Sequence, residues 1–309
     1  MTNCCVIGGA GFIGHSLVKH LKKTERNITV IGRNSSPSRP LIEGVKYRAG
    51  DYSDRYFLSG ILQEVDEIIN LAHTTVPQTS YNDPVLDILN NLPACVNLFI
   101  LAHQLGVKKI IQVSSGGTVY GKAKYLPILE NHPTNPISPY GISKLAIEKY
   151  ALMYHHLHGL PVICVRPSNA YGEGQKPFAG QGFVSTAIAS ILENKEIILY
   201  GEHGTIRDYI HVDDVANGII AVLEKGEIGE CYNIGGGIGK SNIGVLEVIS
   251  RYARSNLSDL RIKRFPLRNF DVPANILDCT KLKSATGWSP LISFEDGIQR
   301  TWNWCQQTI

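Results

Sequence analysis

The chain has 309 residues, of which 43% are hydrophobic and 18% charged, and its net charge is +3. This length and composition can bury a large core, and they predict one large domain or two linked ones. The small net charge gives no reason to expect nucleic acid or an anionic membrane as a partner. The ten His residues do not have metal-ligand spacing, so no metal site is predicted.

The seven Cys residues are irregularly placed, and Cys4 is adjacent to Cys5 inside a predicted strand. This pattern is not that of a disulfide framework and indicates buried thiols in a reducing cytosol. No secretory signal pattern opens the chain, and no apolar run reaches roughly 18 residues. We therefore expect a cytoplasmic protein with no membrane-spanning helix.

Short apolar runs alternate with amphipathic stretches along the first half of the chain. The runs predict strands at residues 4–8, 27–32, 46–50, 67–72, 108–114 and 162–166. The stretches between them predict helices at residues 12–23, 56–65, 90–105 and 143–158. Strands that alternate with helices are typical of a parallel sheet covered on both faces, so an α/β fold is expected.

The pattern changes after residue 166, where glycines, prolines and loops dominate residues 167–182. Further helices are predicted at residues 183–193, 212–223 and 245–254, with a strand at Cys231–Ile234, before a loop-rich tail that contains Pro266, Pro273 and Pro290. We expect a first domain at residues 1–167. A smaller α/β substrate lobe, partly interleaved with it, is expected at residues 168–309.

A glycine-rich turn joins the first predicted strand to the first predicted helix. Gly8, Gly11 and Gly14 have the spacing G-x-x-G-x-x-G, and Phe12 and Ile13 lie between the last two. Glycine allows a sharp turn and a close approach of the backbone to a pyrophosphate. The helix N-terminus then offers free N–H groups and a positive dipole end. This context predicts a dinucleotide site on a Rossmann-like, doubly wound parallel sheet.

The second predicted strand ends in Ile31-Gly32-Arg33-Asn34, without the carboxylate that would hold the adenine ribose hydroxyls. Arg33 could meet a 2′-phosphate, which favours NADP over NAD, although a solvated loop Arg is the alternative. Asp51 and Tyr52 follow the third predicted strand, and we expect them to flank the adenine.

Tyr140 and Lys144 are four residues apart, so they share one face of a helix. The pKa of a free Tyr is near 10. An ammonium about 4 Å away, at an effective dielectric near 20, would favour the phenolate by roughly 4 kcal/mol, or about three pKa units. We therefore expect Lys144 to lower the pKa of Tyr140 toward neutral pH, where a general acid or base is most useful.

An ordered set of motifs makes the chain resemble the extended short-chain dehydrogenases that act on nucleotide sugars. The motifs are the glycine turn, Asn-Leu-Ala at residues 70–72, the stretch at residues 114–121, Tyr140-x-x-x-Lys144, Arg-Pro-Ser-Asn at residues 166–169 and Arg-Asp-Tyr-Ile-His-Val-Asp at residues 207–213. Enzymes of this group include UDP-galactose 4-epimerase, dTDP-glucose 4,6-dehydratase and several 4-ketosugar reductases. The resemblance covers nearly the whole chain.

The resemblance implies roles for the central residues. Tyr140 would exchange a proton with the sugar 4-oxygen, while Lys144 would lower the pKa of Tyr140 and hold the nicotinamide ribose. Leu71 and Ala72 would line the cofactor. Hydride would pass between the sugar C4 and the nicotinamide C4, with the protein supplying alignment and electrostatics.

The strand-end hydroxyl departs from the family pattern. The usual Ser or Thr position falls on Gly116, which leaves Ser115 and Thr118 as the nearest candidates. Thr118 is favoured because it lies two residues further along a predicted strand and so on the same face as Gly116. Gly117 and Thr118 also occupy the places of the Asp-Glu pair of 4,6-dehydratases, which argues against a dehydratase.

The resemblance also assigns residues to the sugar-nucleotide side. Asn169 resembles the Asn at the sugar–phosphate end, and Arg207 and Arg268 resemble two arginines that clasp the substrate pyrophosphate. Asp271 would meet the nucleoside, and Asn275 would leave room for a substituted sugar. An ordinary surface salt bridge is the alternative for each arginine.

Three functions remain open. The favoured one is a 4-ketoreductase of a nucleotide-linked 6-deoxyhexose, such as a dTDP-4-keto-6-deoxyglucose, in surface-polysaccharide precursor synthesis; Arg33 and Gly116 favour it, with NADPH. The first alternative is a UDP-hexose or UDP-N-acetylhexosamine 4-epimerase with tightly bound NAD. The second is a cofactor-binding regulator without catalysis, against which the intact Tyr140 and Lys144 argue. A homodimer is expected by analogy.

Overall fold

A seven-stranded parallel sheet lies at the centre of the computed structural model, which describes residues 1–268 and 271–308. The strand order is β10-β6-β5-β4-β1-β2-β3, and all six pairings are parallel. This confirms the predicted Rossmann-like α/β fold. The strands are β1 (Thr2–Ile7), β2 (Arg26–Gly32), β3 (Lys46–Ala49), β4 (Glu67–Asn70), β5 (Lys109–Val113), β6 (Val162–Pro167), β7 (Asn169–Tyr171), β8 (Ile197–Tyr200), β9 (Ile206–His211), β10 (Cys231–Ile234), β11 (Gly239–Ser241), β12 (Ile262–Phe265) and β13 (Ala274–Asn275).

Helices cover both faces of this sheet. They are α1 (Phe12–Leu21), α2 (Arg55–Leu62), α3 (Pro84–Gln104), α4 (Pro139–His158), α5 (Phe183–Leu192), α6 (Val212–Lys225), α7 (Asn242–Tyr252), α8 (Thr280–Thr286) and α9 (Phe294–Thr308). Alternate side chains of β1 enter different cores: Cys4 and Val6 pack on the side of α1 and α6, whereas Cys5 and Ile7 pack on the side of α2, α3 and α4.

Two helices begin earlier than the hydrophobic pattern predicts. Helix α3 begins at Pro84, and the side chain of Asp83 accepts a hydrogen bond from the backbone N–H of Leu86 at 2.8 Å. Helix α4 begins at Pro139, with Ser138 accepting from the N–H of Gly141 at 3.1 Å. A capping side chain followed by proline is a common helix start, and here it places Tyr140 and Lys144 inside α4.

Helix α3 is long and apolar enough to cross a membrane by length and composition alone, which differs from the sequence expectation. Its side chains Leu98 and Phe99 are fully buried in the core with residues of α2 and α4. A helix buried in the core of a globular domain meets the same criterion, because it too needs a wide apolar face.

Residues after 167 contribute to two layers. Strand β10 pairs with β6, so it extends the central sheet, and α6 packs against α1. Strands β7, β11 and β13 pair instead with β9, and β8 pairs with β12. Strand β10 thus joins the central sheet although it follows residue 167 in the sequence, and the division into a first domain and a partly interleaved second lobe stays a prediction.

The predicted loop-rich tail was wrong in part, because the end of the chain forms α8 and α9. Pro266, Pro273 and Pro290 all lie outside these helices. Ile298, Trp302 and Cys305 are buried on one face of α9, at the i, i+4, i+7 spacing of an amphipathic helix.

Candidate active site

The glycine turn forms a tight junction between β1 and α1. Gly8 has φ of +82°, a conformation that side chains rarely adopt. A Cβ on Gly14 would lie 2.3 Å from the carbonyl oxygen of Gly8, so only glycine allows the helix to pack this closely on the turn. A Cβ on Gly8 would lie 3.2 Å from the backbone nitrogen of Ala72, at the end of β4.

These contacts fit a dinucleotide. The N-cap residue of α1, Gly11, makes no side-chain capping bond, so the first-turn N–H groups at Phe12 and Ile13 have no cap of that kind. Free N–H groups and the positive end of a helix suit a pyrophosphate. Leu71 is held beside the turn by a hydrogen bond from its N–H to the carbonyl of Ile7 at 3.0 Å.

The three residues expected around the adenosine come together at the ends of β2 and β3. Arg33 and Asp51 are exposed, whereas Tyr52 is 6% exposed. The phenol oxygen of Tyr52 lies 3.6 Å from Cys95 Sγ, in the core. Burial raises the pKa of Tyr52, the charge of Asp51 raises it further, and the charge of Arg33 lowers it. Tyr52 therefore has its hydroxyl directed into the protein, while Arg33 and Asp51 face solvent.

Lys144 is a buried ammonium beside Tyr140. Its Nζ lies 5.7 Å from the centre of the Tyr140 ring and donates to the carbonyl oxygen of Val113 at 3.0 Å. Burial lowers the pKa of Lys144 to about 8, against smaller opposing effects of Cys95, Glu148 and Asp87. The two predicted partners are thus brought together at the carboxyl end of β5.

The expected acidification of Tyr140 was wrong. Burial raises the pKa of Tyr140, a hydrogen bond with Ser115 lowers it, and the negative charge of Asp87 raises it. Burial has the larger effect because it disfavours the charged phenolate, and the ammonium of Lys144 is bonded to a backbone carbonyl rather than to the phenol. Tyr140 is therefore a neutral phenol at pH 7.

The argument that favoured Thr118 was also wrong, because β5 ends at Val113 and residues 116–120 form a turn. The N–H groups of Thr118 and Val119 both reach the carbonyl oxygen of Ser115, at 3.3 and 3.1 Å. Alternation along a strand does not apply to a turn. Within the part of the chain that the structure describes, Thr118 Oγ1 is buried without a hydrogen-bond partner, whereas the Ser115 hydroxyl bonds Tyr140.

The packing around Gly116 explains why it carries no hydroxyl. A Cβ there would lie 2.5 Å from Leu277 Cδ1 and 2.8 Å from the carbonyl oxygen of Arg166. Gly117 has room instead: a Cβ would lie 3.5 Å from Asn169 Oδ1 and 3.9 Å from Ser115 Oγ. The space beside Gly117 is therefore bordered by Ser115 and Asn169.

The substrate-side residues converge on β9. Asn275 of β13 is the register partner of Arg207, and Asn169 of β7 is the partner of Tyr209 on the same strand. Arg207 donates from Nη1 to the carbonyl oxygens of Val272 at 2.7 Å and of Ile206 at 2.9 Å. The side chain of Arg207 is thus oriented by backbone.

Arg268 and Asp271 form a two-point ion pair. Arg268 donates from Nε and Nη2 to the two carboxylate oxygens of Asp271, at 2.8 Å each. The guanidinium carbon lies 4.1 Å from the ring centre of Tyr200, a residue that the sequence did not single out. A planar cation stacked on a tyrosine suits recognition of an anionic, planar ligand.

Sequence reasoning also missed His73 and Asp87. The rings of His73 and Tyr140 meet edge-on, with 4.7 Å between their centres, and His73 Nε2 lies 3.6 Å from Asp87 Oδ1. The only available signal was position, since His73 directly follows the Asn-Leu-Ala motif at the end of β4.

Comparison with known proteins identifies the family. The NAD dependent epimerase/dehydratase family matches residues 4–235. The chain belongs to this family. UDP-glucose 4-epimerase of Mycolicibacterium smegmatis is 31% identical over 307 residues, and the alignment covers 96% of this chain and 96% of that protein. The structure of Thermotoga maritima UDP-glucose 4-epimerase with UDP-glucose has a TM-score of 0.94 at 30% identity over 99% of both chains.

A second epimerase/dehydratase structure carries the cofactor. Thermus thermophilus UDP-glucose 4-epimerase in complex with NAD has a TM-score of 0.91 at 30% identity, over 100% of both chains. The resemblance to the nucleotide-sugar dehydrogenases is therefore confirmed. Members of this epimerase/dehydratase family are NAD-dependent enzymes that act on nucleotide sugars.

Proposed function

We propose that the protein is a nucleotide-sugar 4-epimerase that uses NAD and acts on a UDP-hexose or UDP-N-acetylhexosamine. The observation that carries the proposal is the meeting of Ser115, Tyr140 and Lys144 at the carboxyl end of β5, at the same edge of the sheet as the glycine turn that follows β1. The two UDP-glucose 4-epimerases that align over nearly their whole length support the reaction type.

Each residue of this cluster has a distinct task. NAD, when bound on Gly8, Gly11, Gly14, Leu71 and Ala72, would supply the acceptor and donor of the C4 hydride. Tyr140 would first release its phenolic proton to solvent; as the phenolate it would take the proton of the sugar 4-hydroxyl, and it would return that proton after the ketosugar has turned over. Ser115 would hold the same oxygen, because its hydroxyl already contacts the phenol. Lys144 would hold the ribose, and its positive charge 5.7 Å from the ring centre would stabilise the phenolate once it has formed.

The remaining predicted residues would hold the nucleotide. Arg207 and Arg268 would bind the pyrophosphate, and Asp271 would orient Arg268 and meet the nucleoside. Asn169 would contact the sugar end beside Gly117. Asn275 is bonded to the turn at Gly116, which would leave the sugar pocket open for a substituent.

A 4-ketoreductase that uses NADPH is the second candidate. The exposed Arg33 at the end of β2 favours it, because no carboxylate stands there to hold the ribose hydroxyls and an arginine suits a 2′-phosphate. The NAD dependence of the family favours NAD instead, and the similar UDP-glucose 4-epimerases favour epimerisation. Gly117 and Thr118 still argue against a dehydratase.

We also propose a cytoplasmic homodimer that pairs through α3 and α4. Both helices expose apolar side chains, namely Val85, Ile88, Leu89, Ile142, Met153 and Leu157. Light scattering on a size-exclusion column would give the mass in solution. A monomer at micromolar concentration would contradict this part of the proposal.

The reaction is tested with a panel of UDP- and dTDP-sugars supplied with no cofactor, NADH or NADPH. We expect purified protein to interconvert a pair of C4 epimers without added cofactor, and Tyr140→Phe to lose about 100-fold or more of the rate while folding normally. Stoichiometric oxidation of NADPH by a 4-ketosugar would replace the epimerase by the reductase. Cofactor binding without turnover of any sugar nucleotide would indicate a regulator.

A further inference from the structure

A buried carboxylate lies next to the His73 ring that contacts Tyr140, and it has no role in the reaction proposed above. Asp87, in the first turn of α3, is fully buried and accepts hydrogen bonds from the hydroxyls of Thr75 and Ser143. Its Oδ1 lies 3.6 Å from His73 Nε2. Burial raises the pKa of Asp87, but the nearby His73 ring and the hydrogen bonds from the Ser143 and Thr75 hydroxyls outweigh it, so the net pKa is lowered and the group is an anion at pH 7.

His73 lies between this anion and the phenol. Its side chain is 5% exposed, and its ring meets the Tyr140 ring edge-on, with planes at 76° and centres 4.7 Å apart. Burial lowers the pKa of His73 to about 4, the charge of Lys144 lowers it further, and Asp87 opposes both. His73 is therefore a neutral ring at pH 7, and an edge-on contact of this kind holds two rings in a defined relative orientation.

Asp87 is also linked to the helix that carries the proposed proton donor. Ser143 donates a hydrogen bond from its hydroxyl to Asp87, and Ser143 directly precedes Lys144 on α4. One carboxylate thus lies beside the His73 ring and is hydrogen-bonded to the side chain of Ser143, on α4 between Tyr140 and Lys144. Its charge acts on the same pair, since it raises the pKa of Tyr140 and of Lys144.

We propose that Asp87 and His73 are positioning residues for Tyr140. Asp87 orients the His73 ring, and the ring fixes the phenol so that its hydroxyl faces Ser115. This inference rests on the proposed role of Tyr140 as the group that exchanges a proton with the sugar. A displacement of about 1 Å in a catalytic group can lower the rate about 100-fold. Loss of the ring contact that positions Tyr140 should therefore lower the rate measurably.

The groups that face Tyr140 come from four parts of the fold. Lys144 lies on the same helix, Asp87 lies on α3, His73 follows β4 and the hydroxyl of Ser115 follows β5. Asp87 is the anion among them in the described ranges 1–268 and 271–308. Its replacement by the isosteric, neutral Asn removes that charge and leaves the other three groups in place.

The test uses His73→Ala, His73→Phe and Asp87→Asn, with Asp213→Asn as the control. Asp213 also pairs with a histidine, at 3.3 Å from His20 Nε2, but this pair joins the first turn of α6 to α1. We expect His73→Ala to lower kcat by about 10- to 100-fold with little change in KM, and His73→Phe to recover part of the loss because it restores a ring against Tyr140. Asp213→Asn should leave kcat unchanged.

A second readout needs no substrate. Tyrosinate absorbance is followed with rising pH, up to the pH at which circular dichroism shows unfolding, for each variant and for the same variant with Tyr140→Phe, so that the difference reports the onset of Tyr140 ionisation. Asp87→Asn should move this titration to lower pH, since the opposing anion is gone. Normal kcat and an unmoved Tyr140 titration in His73→Ala and Asp87→Asn, with only the melting temperature reduced, would overturn the proposal. If the wild-type protein has no epimerase activity, the titration still decides, so the two proposals fail separately.

Discussion

Asn275 donates a hydrogen bond from its side-chain Nδ2 to the main-chain carbonyl oxygen of Gly116, at 3.0 Å. Asn275 belongs to β13, in the sheet that carries Arg207, and Gly116 lies in the turn that follows β5 and carries Ser115. Both residues are buried. This bond therefore couples the substrate-side sheet to the turn that holds the proposed catalytic hydroxyl.

The packing of this turn predicts different effects on stability for alanine at Gly116 and at Gly117. Gly116→Ala should lower the free energy of unfolding by about 1–3 kcal/mol, because its Cβ would overlap Leu277 and the Arg166 carbonyl. Gly117→Ala should leave stability nearly unchanged, since its Cβ makes ordinary contacts. Urea unfolding measures both. Equal stability of the two variants would show that the turn adapts and that sterics do not exclude a side chain at Gly116.

The buried ammonium of Lys144 predicts a pH dependence of activity. Since burial lowers its pKa to about 8, epimerisation should fall as pH rises through about 8 and the positive charge beside Tyr140 is lost. Lys144→Met should lose about 100-fold or more of the rate and show no such fall. A wild-type rate that stays constant to pH 10 would contradict the assigned role.

The same group predicts a pH dependence of stability with the opposite sign. In the unfolded chain the pKa of Lys144 returns to about 10.5, so between pH 8 and 10.5 the unfolded state binds more protons and stability rises with pH. Lys144→Met, which removes the cost of burying the charge, should be more stable than the wild type at pH 7. The difference should shrink above pH 8. Thermal melts from pH 6 to 10 would measure it, and a constant difference would be the contrary result.

Arg33 predicts the cofactor preference. Arg33→Ala should weaken NADP binding about 10-fold and leave NAD binding nearly unchanged, because only NADP carries a 2′-phosphate. Calorimetric titration with both cofactors measures the ratio. The exposed Lys46 on β3 offers a matched control, since its loss also removes one positive charge. An equal loss of affinity for both cofactors would place Arg33 outside the 2′ position.

Loss of Arg268 should weaken binding of the sugar nucleotide without slowing the chemical step. Arg268→Ala should raise KM for the sugar nucleotide about 10-fold or more with little change in kcat, because it removes a pyrophosphate contact far from the sugar C4. Arg268→Lys should recover little, since Lys cannot make the two-point bond to Asp271 or stack as a plane on Tyr200. A fall in kcat at constant KM would assign Arg268 to the chemistry.

The sequence by itself determined the features that depend on local pattern. Three features could be predicted: the strand–glycine turn–helix unit, the parallel sheet and the Tyr140–Lys144 pair. Each depends on a pattern among residues that are close together in the sequence. Helix α9 was missed although the spacing of Ile298, Trp302 and Cys305 was present, and nearby prolines obscured it.

Only the tertiary structure decided which hydroxyl meets Tyr140 and how acidic the phenol is. Leu277 closes the space at Gly116, and Ser115 takes the place that strand alternation had assigned to Thr118. His73 and Asp87 reach Tyr140 from other elements of the fold. Steric exclusion and desolvation are set by everything that surrounds an atom, so residues distant in sequence decide them, and no local spacing can report them.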